Sequence, residues 1–584
     1  VSTIASVGEK ELEWPNLTAP MDLRSNPNAV SWGRWRKTVN VRAVESGRLA
    51  RRGGWRRFGY QTEHPNSDLH DLHGGLATKV SGHVHPGRTG VPGSRLLIGT
   101  ESDIWMNRMD GGWRNMASGH SGGAWSFASN GSLCMAGNGK TVLWNRVGGP
   151  DGFATIPSLS LIGVTGAHVV FSFQGTFFLA DLVMDGVDAR NRVVWADQGT
   201  IDFDQSSGST AGFFELNPGE RVLAARMLGT VTILFTTHGY WRLGVVDGVF
   251  VFQNVYYSKE RVACLLNPNA VAVDRAIAYI VGSDGIYTIT PFSPAPEWTD
   301  WINDGLPSAF LSDTDNCLVT AAAYDPRRNE VLFSCPTAGQ TYVINTRIGS
   351  SGLIDHAFTM LLPADLDSSR DFAQWWVESG ICTPEAVNAN WPIGARDDAR
   401  VFPEATGTAD GCTPFDPPCD ECGSRYELIG VSSVDGCLKT FDDEFYGRER
   451  RSGDDWVTDI YGCQLLTGSM SFGTQEWKRI SRAIVEFIAT PTDAPGRFEM
   501  RIGVSASSTA PEAPGCTRIW NFSKKQAICR LDANKQPNTQ PAHWVFEVEG
   551  RYVFFDIRVE PAVGAPVTLT RFVAFVSRSA GGMP

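Results

Sequence analysis

Val231-Thr232-Ile233-Leu234-Phe235 runs into the turn Thr237-His238-Gly239 and returns as Tyr240-Trp241-Arg242-Leu243. Two strand-length runs rich in β-branched and aromatic residues, broken by a short glycine-containing turn, read as a β-hairpin. The same pattern extends outward in both directions. Arg95-Leu96-Leu97-Ile98 lies upstream, and Val331-Leu332-Phe333-Ser334, Tyr342-Val343-Ile344 and Tyr552-Val553-Phe554-Phe555-Asp556-Ile557 lie downstream. Apolar residues alternate or come in runs of about four to six, each ended by Gly, Asn, Asp or Pro, as strands require. Helical periodicity is scarce, with Asp371 to Glu378 the best short candidate. The expected class is all-β.

Composition agrees. With 61 Gly and 32 Pro among 584 residues, the chain is rich in turn formers, while 42% hydrophobic against 20% charged residues excludes disorder and coiled coil. Nineteen Trp and 31 Phe call for large aromatic cores. A net charge of −12 excludes general nucleic-acid binding by the whole surface. No apolar run approaches the length of a membrane-spanning helix. Residues 1–19 carry acids where a signal peptide needs a basic and then an apolar run, so Asn16-Leu17-Thr18 is not expected to be glycosylated.

Strand groups recur at roughly 35 to 55 residues, the period of propeller blades. They run from Arg95 to Trp113, Trp125 to Trp144, Val169 to Trp195, Arg221 to Phe252, Val271 to Ile289 and Val319 to Ile344, with a degenerate seventh from Tyr426 to Phe445. The expectation is a β-propeller of about six blades, with seven allowed, and a pair of sandwiches as the competing architecture. Residues 463–584 alternate more cleanly and read as a C-terminal β-sandwich. The expected organisation is therefore an N-terminal arm with a first strand (1–60), propeller blades (61–350), an irregular Cys-containing insertion (351–425), a closing blade (426–462) and the sandwich (463–584).

Several phrases, in order, resemble the tail nozzle proteins of short-tailed bacteriophages, also called tail tubular protein B. Asn40-Val41 followed by Ser46-Gly47-Arg48-Leu49-Ala50-Arg51-Arg52-Gly53-Gly54 is similar to the family's Asn-Val element and Gly-x-Leu-x-Arg-Arg-Pro-Gly turn, with Gly53 in place of the Pro. Val193-Val194-Trp195-Ala196-Asp197, then Arg221-Val222-Leu223-Ala224-Ala225 with Gly239-Tyr240-Trp241-Arg242-Leu243, resemble successive blades. So do Ala278-Tyr279-Ile280 with Ser283-Asp284-Gly285-Ile286-Tyr287, and Ala323-Tyr324-Asp325 with Asn329 and Tyr342-Val343-Ile344-Asn345. Val434-Asp435-Gly436 with Phe441-Asp442 resembles the last blade. Thr467-Gly468 and Phe472-Gly473 with Lys478-Arg479-Ile480 resemble the entry into the terminal β domain. The likeness covers residues 38 to 490.

The resemblance implies a virion structural protein at the distal end of the phage tail. It would form a homo-hexameric ring, dock on the tail adaptor ring protein and carry tail fibres or spikes. The ring would hold back the viral double-stranded DNA and then pass it during ejection. No active site or cofactor is implied, and no membrane span is expected. The second reading is a propeller module that binds a host receptor or glycan at a tail tip or fibre junction. A glycan-cleaving propeller enzyme is third, since the fold hosts many chemistries.

Candidate sites follow from clustered residue types. Nine basic residues lie between Arg34 and Arg57, and Arg48, Arg51, Arg52, Arg56 and Arg57 are the densest part. They suit contact with phosphates or with an acidic adaptor subunit, the protein being favoured, against a plain solvated strand and turn. Five of the ten histidines fall between His64 and His85. Of these, His70, His73, His83 and His85 are the candidate metal ligands, and the alternation of a strand would put His83 and His85 on one face. Cys412, Cys419, Cys422 and Cys437 follow a C-x6-C-x2-C-x14-C pattern. Disulfides, a zinc site of which Cys419 and Cys422 form one half, and unpaired thiols all remain open there, with Cys463 a further staple. Cys516 and Cys529 could bridge a long hairpin loop, and Cys134, Cys264 and Cys317 read as buried thiols. Asp442-Asp443-Glu444 and Asp454-Asp455 read as solvated turn acids rather than a calcium or glycosidase site. Neither a Gly-x-Ser-x-Gly elbow before a helix nor a phosphate-binding loop occurs.

Overall fold

The computed structural model describes residues 10–23, 33–44, 47–58, 79–85, 95–107, 113–131, 133–146, 152–206, 208–307, 310, 321–366, 425–442, 445, 447–452, 455–460, 462–468, 478–489, 496–505, 529–531, 539–550, 552–560 and 567–578. Five four-stranded antiparallel sheets follow one another along the chain. Blade I is Ser81–His85, Arg95–Gly99, Ile104–Asn107 and Trp113–Ala117. Blade II is Ser126–Asn130, Leu133–Gly137, Val142–Arg146 and Ala154–Thr155. Blade III is Val164–Phe173, Thr176–Met184, Val187–Trp195 and Gly212–Glu215, and blade IV is Val222–Leu228, Val231–Thr236, Gly239–Val246 and Val249–Tyr257. Blade V is Val271–Asp274, Ile277–Val281, Ile286–Ile289 and Glu297–Trp298.

Two further blades are embedded in larger sheets. Blade VI is Ala321–Asp325, Glu330–Cys335, Gln340–Asn345 and Ser350–Ile354. Blade VII takes Phe358–Leu366, Arg425–Ser432 and Leu438–Asp442 from late in the chain and Gly54–Arg57 from its beginning, with Phe441 opposite Trp55. The hairpin Gly447–Ser452 and Asp455–Ile460 extends the same sheet beyond Gly54–Arg57.

Except between blades IV and V, the first strands pack on one another in sequence, and that of blade VII returns to that of blade I. Blades IV and V meet through one shared core that contains Leu223, Leu228 and Ile233 with Val271, Ala278 and Ile280. The ring is therefore a seven-bladed β-propeller. Seven is the upper of the expected counts, and the last blade is the hard one to read because it is split between distant parts of the chain. Periodicity along the sequence marks only two of its four strands, within the group from Tyr426 to Phe445. Trp55, fully buried, closes the ring by packing on Phe358 at 4.2 Å and edge-on to Phe441 at 5.2 Å.

Local chemistry explains the hairpins. Gln174-Gly175, Asp185-Gly186 and Asp247-Gly248 all have positive φ at both positions and connect strands with two-residue loops. Such turns match the right-handed twist of the strands, and Asp-Gly adopts them at low cost. Alternation along the strands then sets which side chains enter the core between blades, as in Phe171, Phe178, Trp241 and Leu243 between blades III and IV.

A β-sandwich follows, but it is built from both termini. One sheet has the order Val41–Val44, Arg48–Arg51, Val567–Arg578, Lys478–Ala489, Thr539–Gly550, and Lys10–Glu13 also pairs with Val567–Arg578. The other continues from blade VI through Trp35–Val39, Cys463–Thr467, Tyr552–Glu560, Gly496–Ser505 and Cys529–Leu531. Between them lie Trp14, Trp35, Leu465, Ile480, Val485, Phe555 and Phe572, with the Trp14 and Trp35 rings stacked at 4.5 Å. The expected N-terminal arm is thus corrected. Lys10–Glu13, Trp35–Val39, Val41–Val44 and Arg48–Arg51 supply strands to the two sandwich sheets, and Gly54–Arg57 supplies one to blade VII. The insertion also starts later than expected, since Ser350–Ile354 and Phe358–Leu366 are strands, and its residues 367–424 lie outside the described residues.

Candidate metal centre between the first two blades

Strand Ser81–His85 alternates, so His83 and His85 project to the same side, toward blade II. Opposite them, Ser129 and Cys134 are register partners on Ser126–Asn130 and Leu133–Gly137. The Ser129 Oγ lies 2.6 Å from His83 Nε2 and 2.6 Å from His85 Nδ1. One imidazole nitrogen from each histidine and the Cys134 Sγ form a group of three ligand atoms that all lie within 4.8 Å of one another.

The surroundings are apolar. Leu97 packs with Cys134, and Met106, Phe127 and Phe153 pack against the pair. The His83 ring stacks on Phe127 at 5.9 Å. Burial pushes the His83 imidazole down to about 4 and the Cys134 thiol up to about 12, the latter opposed by the Ser129 hydrogen bond. The His83 imidazole is thus neutral near pH 7. A hydroxyl carries one proton, so Ser129 donates to one ring nitrogen and accepts from the N–H of the other. Two imidazoles and a thiol converging from adjacent blades form a donor set suited to a zinc-type ion.

The other candidates fare differently. His70 and His73 lie outside the described residues, as do Cys412, Cys419 and Cys422. Cys437 holds a buried thiol whose Sγ lies 3.5 Å from the Asp435 carbonyl oxygen. Cys463 is also a buried thiol, pushed up to about 12 by burial, with Arg51 beside it. It is not a staple. Cys134 and Cys264 are buried thiols as expected. Cys335, which no sequence pattern flags, is disulfide-bonded.

The arginine segment is corrected most. Arg51 and Arg52 are buried, and Arg52 forms a bidentate pair with Glu330 at 2.6 and 2.8 Å. Arg56 pairs with Asp442 at 3.0 Å and lies over Phe445, while Arg57 lies over the Trp456 ring and its N–H donates to Glu449. Arg51 and Arg52 are thus internal at the crossing from sandwich to blade VII, whereas Arg56 and Arg57 are paired within the chain but stay partly exposed. Arg48 is exposed. Asp442 is accordingly an ion-pair acid rather than a solvated one.

What sequence reasoning missed is the pairing of His83 and His85 with Ser129 and Cys134. No spacing signals it, because the residues stand on different blades.

No family model matches the chain, and no curated protein matches it. Among solved structures it is similar to dihydro-heme d1 dehydrogenase NirN in complex with DHE, at 9% identity and a TM-score of 0.30, over 46% of this chain and 55% of that chain. It therefore spans about half the length of that protein. It is also similar to BBS1N in complex with ARL6DN, soaked with mercury, at 11% identity and a TM-score of 0.32, over 63% of this chain and 92% of that chain. The architecture rests on the strand order itself.

Proposed function

We propose that this protein is a structural subunit of a phage tail nozzle, a homo-hexameric ring at the distal end of the tail that closes the DNA channel and opens for genome ejection. It docks on the tail adaptor ring and carries tail fibres or spikes. Its role is mechanical rather than catalytic.

The observation that carries this reading is the position of the N-terminal phrase that resembles the nozzle family. Asn40, at φ 55°, donates its backbone N–H to Leu353 and accepts from the Arg52 N–H through its carbonyl. Its side chain donates to the Gly462 carbonyl and accepts from the Asp355 N–H, each at 3.0 Å. The Cys463 thiol also donates to the Asn40 carbonyl oxygen. One residue thus ties blade VI, its exit toward blade VII and the sandwich, and Arg52 adds a buried ion pair to blade VI. A subunit joined so tightly suits a ring that must resist internal pressure without hinging between its parts.

Lateral contact has support too. Blades III and IV have long outer hairpins, and Val187, Val246 and Val249 at their ends are 69%, 58% and 64% exposed. Exposed apolar side chains grouped at hairpin ends suit a contact between subunits.

The test is a cryo-EM reconstruction of the native particle that carries this chain. Six copies around the axial channel at the tail end is the expected result. Copies placed off the axis, or none in the particle, would overturn the proposal and favour the receptor-binding reading.

A further inference from the structure

We propose that His83, His85 and Cys134 bind one zinc ion, which clasps blade I to blade II. This site is independent of the nozzle reading, and nothing in the tail role requires it.

Three donors of zinc-binding type, two imidazole nitrogens and one sulfur, come from two blades and lie within 4.8 Å of one another. The Ser129 hydroxyl stands between them, 2.6 Å from each nitrogen and hydrogen-bonded to Cys134. It marks a point that all three ligand atoms already face. Zinc bonds imidazole nitrogen at about 2.0–2.1 Å and thiolate at about 2.3 Å. Zinc binding therefore requires the cluster to contract, with Ser129 Oγ turned aside or kept as a weak fourth ligand.

The donor set also selects the ion. Sulfur with imidazole favours zinc over calcium or magnesium, which take oxygen ligands. His85 and Cys134 are fully buried, and Leu97, Phe127 and Phe153 pack around Cys134. The Phe127 stack fixes the His83 ring in the plane that aims Nε2 at the centre. Such outer contacts orient the ligands of a metal site.

The binding step balances simply. Zinc(II) displaces the thiol proton of Cys134, a zinc–sulfur bond forms, and one proton leaves to solvent for each ion bound; neutral imidazoles lose none. Nothing is oxidised or reduced.

The cysteine-rich segment of the chain supplies other soft ligands, so the test is a difference measurement on the full-length protein. Zinc-stripped wild-type, Cys134→Ser and His83→Gln chains are titrated with zinc chloride in weak buffer. Stoichiometry is read by mass spectrometry under native conditions and proton release by an indicator dye. Cobalt(II) substitution gives the thiolate-to-metal charge-transfer band. Wild type is expected to bind one equivalent more than either variant, and Cys134→Ser to lose one released proton and that share of the cobalt band. Equal stoichiometry in all three chains overturns the proposal, as does loss in only one variant, because both residues must be ligands. Thermal unfolding of the zinc-free chains checks the fold. Should Cys134→Ser fail to fold, the half-buried His83→Gln decides alone by the loss or retention of one equivalent.

Discussion

Replacing Glu330 with Gln should destabilise the junction between sandwich and propeller far more than a surface change would. Arg52 and Glu330 are 4% and 2% exposed, and two hydrogen bonds at 2.6 and 2.8 Å join them. Glu330→Gln keeps the volume and leaves the guanidinium buried without its counter-charge. Two unit charges about 4 Å apart in an effective dielectric of about 20 attract by about 4 kcal/mol. Breaking a buried pair by removing one partner costs about 3–5 kcal/mol. Removing both charges, as in Arg52→Met with Glu330→Met, removes the desolvation cost as well and should recover most of that loss. The assay is urea unfolding of wild type, Arg52→Met, Glu330→Met and their double variant as a double-mutant cycle, with Glu330→Gln alongside, followed by tryptophan fluorescence, since Trp55 is buried three residues from Arg52. A coupling above about 2 kcal/mol is expected. A Glu330→Gln chain within about 0.5 kcal/mol of wild type, the range of ordinary surface substitutions, refutes the reasoning. That outcome would return Arg52 to the list of partner contacts, where its loss would weaken docking and leave subunit stability unchanged.

Other consequences can be checked with the same material. Trp55→Ala removes the ring that packs on Phe358 and Phe441 and should cost about 3–5 kcal/mol, read as a lower urea midpoint with loss of propeller closure. Burial, with Lys439 and Arg448 nearby, holds the His356 imidazole down at about 3, while Arg448 donates to its Nδ1 and Asp435 opposes the shift. The folded state therefore stays neutral where the unfolded chain binds a proton below about 6.5. Stability should fall as pH drops through the window from about 6.5 to 3, by about 1.4 kcal/mol per unit for this group. Unfolding titrations of His356→Phe should show a shallower pH slope than wild type, and parallel slopes would reject the assignment. Val246→Lys with Val249→Lys should leave the melting temperature of the subunit unchanged, since both side chains are exposed, and prevent ring assembly as scored by negative-stain microscopy. Normal rings would remove these hairpins from the interface.

The amino-acid sequence by itself determined that the chain is all-β and where most strands begin and turn. Val231 to Leu243 forms the hairpin its pattern describes, and the Asp247-Gly248 turn follows from backbone preferences of two residues. These are local facts, set by side-chain alternation and turn chemistry within a few positions. The tertiary structure alone decided how the strands were partnered. Gly54–Arg57 closes a blade whose other strands start at Phe358, Arg425 and Leu438, and Trp35–Val39 joins Ser350–Ile354 with Cys463–Thr467. The same holds for the sites. Arg51, Arg52, Arg56 and Arg57 form a run of charge in the sequence, yet the fold buries the first two and leaves the other two partly exposed, while His83 and His85 meet Cys134 only because blade I packs on blade II. A strand edge offers the same backbone donors and acceptors to any partner. The choice among partners is made by which apolar faces can be buried together, and that depends on the whole chain at once.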